Sequence, residues 1–162
     1  MLIGIMSDTH DSLQAIANAL DALRHRGVEH ILHAGDFIAP FAVKALGGLS
    51  VPVTGVFGNN DGERAGLSMA FQSIGELSSG PVAVQLAGRR IALMHEPRLV
   101  RQLARSGEFD LCVFGHTHEL AIETDGALMV NPGEVCAYVS GRATLVVLDL
   151  ATMRPETVEL VL

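Results

Sequence analysis

Asp8, His10, Asp36, Asn59, His95, His116 and His118 are seven oxygen and imidazole donors with no thiolate among them. That donor chemistry suits a hard-to-borderline divalent cation such as manganese, iron, nickel, cobalt or zinc. The absence of cysteine from the set argues against a structural zinc site. Seven ligands are too many for one ion, and a pair of ions needs one bridging carboxylate. Asp36, a lone acid preceded by Gly35, is placed for that role. A pair of cations about 3.5–4 Å apart can clamp the attacking and leaving oxygens of an in-line displacement.

These residues must be delivered by the elements before them, and each follows an expected strand. Leu2 to Met6 reads as a buried strand by its continuous apolar character and leads into Ser7-Asp8-Thr9-His10. His30 to His33 leads into Ala34-Gly35-Asp36, and Val51 to Phe57 into Gly58-Asn59-Asn60-Asp61. Arg90 to Met94 leads into His95, and Leu111 to Phe114 into Gly115-His116-Thr117-His118. In open α/β sheets the carboxyl ends of strands form the crevice where ligands bind. Glycines at 35, 58 and 115 allow sharp turns and close approach to a ligand.

Between the strands of the first half lie helical patterns. Asp11 or Ser12 is the expected cap of a helix with Leu13, Ile16, Ala17, Leu20 and Leu23 on its apolar face. A second helix begins near Pro40 and stops at Gly47-Gly48, and a third covers Arg64 to Ser73. That alternation implies right-handed crossovers and a parallel sheet. The second half adds strands at Pro81 to Ala87, Ala127 to Val130, Thr144 to Leu150 and Thr157 to Leu162. Gly88 and Asp125-Gly126 mark hairpin turns, and one helix spans Arg98 to Ser106. Two sheets face to face with helices outside is the simplest arrangement, with the final strands closing the second sheet.

The chain has 162 residues, 49% of them hydrophobic and 4% aromatic, so one domain with an aliphatic core is expected. Eleven Lys and Arg against 18 acids give a net charge of -7, which speaks against a nucleic-acid scaffold with a basic patch. No stretch is long and apolar enough to span a bilayer, and the N-terminal apolar run lacks the flanks of a signal peptide. Only Cys112 and Cys136 are present, too few for a disulfide framework. A cytoplasmic protein with reduced thiols is the expectation.

Taken together, Asp8-x-His10, Gly35-Asp36, Gly58-Asn59, His95 and Gly115-His116-x-His118 resemble the motifs of the calcineurin-like metallophosphoesterase superfamily. In length and motif spacing the chain is most similar to the small bacterial and archaeal phosphodiesterase branch. The resemblance implies a four-layer αββα sandwich of two mixed sheets flanked by helices. It implies two divalent metal ions, manganese foremost, with nickel, iron, cobalt or zinc as alternatives. Asp8, His10, Asp36 and His118 would hold one ion, and Asp36, Asn59, His95 and His116 the other. A hydroxide between the ions would attack a small phosphodiester, with Asn59 and the cations drawing charge from the phosphoryl oxygens. Relatives in this branch form dimers or tetramers, and the apolar last strands are compatible with either.

The sequence also departs from the pattern. Many superfamily members carry a histidine after the metal-binding asparagine, where it can protonate the leaving group. Here that residue is Asn60, which cannot act as an acid near neutral pH, so alkyl leaving groups should depart slowly. Glu96 and Glu134 stand where the branch has glycine and serine, and both are expected to place negative charge near the phosphate. Arg98, Arg101 and Arg105 fall at helical spacing, so Arg98 and Arg101 are candidate phosphate ligands, against the plain reading of a solvated helix face. His25 and His30 lie outside the strand-end pattern. His33 suits packing or support of the Gly35-Asp36 turn, and Cys112 a buried apolar role. The leading expectation is a metal-dependent phosphodiesterase. The alternatives are a protein-binding scaffold on the same fold, as in the retromer subunit, or a phosphomonoesterase. A complete ligand set favours an enzyme.

Overall fold

The computed structural model describes residues 1–162. Four parallel strands form the heart of a first sheet: β1 (Leu2–Met6), β2 (His30–His33), β3 (Val53–Val56) and β4 (Gly75–Ser78). Between them run α1 (Leu13–His25), α2 (Pro40–Leu46) and α3 (Arg64–Phe71). The second sheet is built on β5 (Val82–Leu86), β6 (Arg89–Leu93), β7 (Leu111–Val113), β8 (Leu120–Asp125) and β9 (Ala127–Pro132), ordered β5-β6-β7-β9-β8. In it β6, β7 and β9 are parallel, and the hairpin partners β5 and β8 run antiparallel at the edges. A 3-10 turn at Pro97–Leu99 leads into α4 (Val100–Arg105).

Alternation along the strands assigns each face to a layer. Ile3, Ile5, Leu32, Ala34 and Val56 of the first sheet meet Ile91, Leu93, Leu111, Val113 and Val130 of the second. The opposite side chains of the first sheet, among them Met6, Ile31 and Val53, pack under α1 to α3 on Ile16, Leu20, Leu23, Leu46 and Leu67. Those of the second, Ala92, Cys112 and Met129, pack under α4 on Val100 and Ala104. Helices, sheet, sheet and helix make the expected four-layer αββα sandwich. Burying each large aliphatic side chain of the central layer contributes about 1.5–3 kcal/mol.

The last two strands depart from expectation. β10 (Thr144–Asp149) and β11 (Arg154–Glu159) do not close the second sheet. They complete the first, in the order β11-β10-β1-β2-β3-β4, with β10 antiparallel to β1. β1 is buried on both faces, so leaving it at an edge would bury unpaired backbone groups. β10 satisfies that edge and adds Val146 and Leu148 to the central layer. β4 and β8 are edge strands too polar to stand out in sequence, and edges kept polar resist pairing with other chains. The first helix also lacks its expected cap: Ser12 occupies the position without a side-chain bond. Asp11 instead accepts the Ala39 N–H at 2.9 Å, tying the first ligand loop to the start of α2.

Candidate metal centre

All the parallel strands of both sheets end on one rim, and the seven expected ligands meet there. β1 delivers Asp8 and His10, β2 Asp36, β3 Asn59, β6 His95, and β7 His116 and His118. Asp36 is central. Its Oδ2 lies 3.5 Å from His10 Nε2 on one side and 3.6 Å from His95 Nε2 on the other. Asp8 Oδ1 lies 3.8 Å from His10 Nε2 and 3.4 Å from His118 Nε2. Asn59 Oδ1 is 2.8 Å from both His95 Nε2 and His116 Nδ1. The rings of His10 and His118 stack at 5.2 Å, and those of His95 and His116 meet edge-on at 5.1 Å.

Hydrogen bonding on the far side of two rings dictates what faces inward. His95 Nδ1 is 2.7 Å from the Ala34 carbonyl, which can only accept, so that nitrogen carries a proton. Where that ring holds a single proton, its Nε2 presents a lone pair to Asn59 Oδ1, another acceptor. His118 Nδ1 likewise donates to Glu134 at 2.7 Å and turns its Nε2 on the Asp8 carboxylate. Acceptors facing acceptors need a positive charge between them. Asp8 Oδ1 and His10 Nε2 are buried without any hydrogen-bond partner. Ligand atoms about 2.0–2.2 Å from a shared ion stand roughly 3–4 Å apart, so the spacing and the orphaned donors both fit cations. The donors gather in two groups: Asp8, Asp36 and His95 offer ligand atoms within 4.8 Å of one another, and so do His10, His118 and the Cys136 thiol.

Electrostatics agree with this arrangement. Burial pushes the Asp8 carboxyl up, but His10, Ser7, His95 and His118 around it outweigh that and hold it below its usual range. The same contact with Asp8, against burial, raises the His10 imidazole. Asp8, His10, Asp36, His116 and His118 all have positive φ, between 40° and 72°. Non-glycine residues held there cost about 1–3 kcal/mol each where the conformation is strained, and such strain gathers at functional sites. The glycines leave room. A Cβ on Gly58 would overlap the Asp36 carboxylate, and one on Gly115 would overlap Ser7 and crowd Asp8.

Several residues that shape the site were not legible as such. Asp61 is 2% exposed and accepts the N–H groups of Asp36, Phe37, Ile38 and Gly58 at 2.7–3.1 Å, clamping the β2 and β3 loops together. In sequence it follows Asn59-Asn60 and looks like any turn acid. Glu134 is fully buried behind His118 and also accepts from the Tyr138, Val139 and Ser140 backbone and the Cys136 thiol. Burial pushes its carboxyl up, but His118, Ser140 and Cys136 together hold it down at about 2. It holds the His118 ring and does not put negative charge into an open pocket. Asn131, from the end of β9, donates to the Gly115 carbonyl and to Thr117, bracing the Gly115–His118 turn. His33 accepts the Gly35 N–H and stacks on Phe37 at 3.9 Å, a packing role.

Asn60 donates from Nδ2 to Asp36 Oδ2 at 2.7 Å and from its backbone to Asp36 Oδ1 at 2.9 Å, so its amide holds the central carboxylate. Glu96 pairs with Arg98 at 3.0 Å, which neutralises its charge. Arg98 lines a cleft beside Asn59 and His95, whereas Arg101 is bound by Glu123 and Asp125, and Arg105 by Asp125. Of the three arginines, the structure brings only Arg98 to the site. His25 and His30 are remote from it, bonded to Asp21 and Thr54. Cys112 is buried in β7, where burial alone raises its thiol to about 11. No helix is long and apolar enough to cross a membrane.

Comparison with known proteins places this rim in a family. The sequence profile of the calcineurin-like phosphoesterase superfamily domain matches residues 1–153. The phosphodiesterase MJ0936 of Methanocaldococcus jannaschii is 36% identical over 167 aligned positions, covering 100% of this chain and 99% of its own. A probable metallophosphoesterase of Methanothermobacter thermautotrophicus is 35% identical over 82% of this chain and 76% of its own. The solved structure of an archaeal phosphodiesterase superposes with a TM-score of 0.93 at 33% identity, over 98% of this chain and 99% of that one. With the motifs in order along one rim and these relatives matched along nearly its whole length, the chain belongs to the calcineurin-like phosphoesterase superfamily, whose members are hydrolases of phosphoester bonds.

Proposed function

We propose that the protein is a divalent-metal-dependent phosphodiesterase of small substrates, acting in the cytoplasm as a single domain with two cations, manganese foremost. The observation that carries this reading is the close approach of imidazole nitrogens to carboxylate and amide oxygens on both sides of Asp36. Asp8, His10, Asp36 and His118 would hold one ion, and Asp36, Asn59, His95 and His116 the second. Bound there, such ions supply an acidified water as nucleophile and neutralise charge on the phosphoryl oxygens.

The chain's own residues orient the reaction. Glu134 and the Ala34 carbonyl fix the protons of His118 and His95 on Nδ1, so that each Nε2 stays a ligand. Asn59 turns its oxygen to the two histidines, which leaves Nδ2 to donate to a phosphoryl oxygen. Asn60 steadies Asp36 and gives no proton to a departing alkoxide. Activated leaving groups are therefore the better substrates. A binding scaffold would have no use for so complete a donor set.

The test is hydrolysis of bis(4-nitrophenyl) phosphate by metal-stripped protein with manganese added back across a concentration series. Turnover that rises with manganese and is lost in Asp36→Ala supports the assignment. Two ions bound per chain with no turnover of any aryl diester would overturn it.

A further inference from the structure

Beside the metal centre lies a cleft of about 500 Å³ whose walls include Asn59 and His95 on one side and Phe57, Arg64, Glu96 and Arg98 on the others. A volume of this order takes a substituent the size of a nucleoside monophosphate. Its charge is unlike that of the whole molecule, which is net -7. Glu96 and Arg98 neutralise one another at 3.0 Å, so Arg64 is left as an unbalanced cation.

Arg64 is singular in a second respect. Of the eleven Lys and Arg, eight are ion-paired with a carboxylate. Lys44, Arg64 and Arg154 are the exceptions, and among them only Arg64 lines the cleft. Its guanidinium lies over the Phe57 ring, 4.9 Å from the centroid, and its Nε approaches the Asp61 carbonyl at 3.4 Å. Neither contact uses the terminal amino groups. A guanidinium held over an aromatic face, with both terminal amino groups free, is prepared for bidentate contact with a phosphate. Asp61, which sets the carbonyl, also clamps the Asp36 and Gly58 loops, so Arg64 is referenced to the metal centre through one residue.

We propose that Arg64 is a specificity residue that binds a second phosphate, carried by the substituent of the diester that lies in this cleft. The preferred substrates are then phosphodiesters with a phosphorylated arm, not diesters of neutral alcohols. This assignment rests on the phosphodiesterase reading for its chemistry, but its binding test does not need turnover.

The experiment is calorimetric titration of the manganese-loaded full chain with adenosine 3′,5′-bisphosphate and with adenosine 5′-monophosphate. The bisphosphate should bind about tenfold tighter, the worth of one charge-assisted contact. Arg64→Ala should bring that ratio close to one, and Arg64→Lys should restore part of it. Arg154→Ala, on the edge strand β11, should leave the ratio as in the parent, which separates a local contact from net charge. Equal affinity for the two nucleotides in the parent, equal weakening of both in Arg64→Ala, or no binding of either would overturn the proposal. Bis(4-nitrophenyl) phosphate is assayed alongside. If that diester is not hydrolysed while the bisphosphate preference and its loss in Arg64→Ala hold, the hydrolysis reading fails and the phosphate site stands.

Discussion

Glu134 grips His118 from behind: the Nδ1 of the imidazole donates to the buried carboxylate at 2.7 Å while its Nε2 faces Asp8 Oδ1 at 3.4 Å. A carboxylate in this position fixes the tautomer and raises the basicity of the ligating nitrogen. It also organises the loop that follows, because the Tyr138, Val139 and Ser140 N–H groups converge on the same two oxygens. One residue therefore links His118, a candidate metal ligand, to the conformation of the site's rim.

The Glu134→Gln variant keeps the shape but loses the charge and one acceptor. Its affinity for manganese should fall about 10- to 100-fold, the usual consequence of removing such a partner. Metal titration of the stripped protein followed by calorimetry measures this. The second ion, away from His118, should weaken far less.

Asp61→Ala removes the acceptor of four backbone N–H groups in a buried clamp. Leaving several of them unsatisfied should cost at least about 3 kcal/mol, read as a lower urea midpoint at unchanged slope. Manganese binding should fall as well, since the Asp36 and Gly58 loops separate. Asp61→Asn retains one good acceptor oxygen and should lie between the two.

His33 predicts a pH dependence. Full burial holds its imidazole neutral and pushes it down to about 3, against an ordinary 6.5. The unfolded chain therefore binds a proton below about pH 6.5 that the folded chain refuses until about pH 3, so stability rises with pH across that window and is lost as pH falls. Between pH 6.5 and 5 the parent should lose on the order of 2 kcal/mol from this group. His33→Asn can still accept the Gly35 N–H and does not titrate. The stability difference between the two proteins, by urea unfolding of metal-free samples, should shift by that amount in favour of Asn at the lower pH. A difference independent of pH would refute the assignment.

What the sequence made legible, and what it did not, follows from how each signal is encoded. The strands β1, β2, β3, β6 and β7 carry short apolar stretches, and their polar ends mark the rim, so the seven donors could be collected without coordinates. β4 carries no such run, and in β8 Leu120-Ala121-Ile122 gives way to Glu123-Thr124-Asp125, because one face of an edge strand is solvated. The pairing of β10 with β1 depends on which edge needs covering, a property of the assembled sheet and not of either segment. Glu134, Asp61 and Arg64 escaped for the same reason. A carboxylate behind a histidine, a clamp on four amides and an unpaired arginine are each defined by partners distant in the chain or by the lack of one. Arg101 shows the converse error, since helical spacing with Arg98 and Arg105 suggested a common face, yet Glu123 and Asp125 on β8 neutralise it.

Asn60→His tests the missing leaving-group acid. The native amide donates to Asp36 Oδ2 at 2.7 Å, and an imidazole there can either keep that bond or turn a proton toward the departing oxygen. Because general acid catalysis is worth about 10²–10⁴-fold, kcat/KM for a dialkyl phosphodiester, whose only leaving groups are alkoxides, should rise relative to bis(4-nitrophenyl) phosphate by about tenfold or more. The absolute rate with the aryl diester should fall modestly, because Asp36 loses a fixed donor while that leaving group needs no proton. The two effects oppose one another in sign, which makes the ratio of the substrates decisive. An unchanged ratio would mean that the residue at position 60 acts only by holding Asp36, and that the slow departure of alkoxides has another origin.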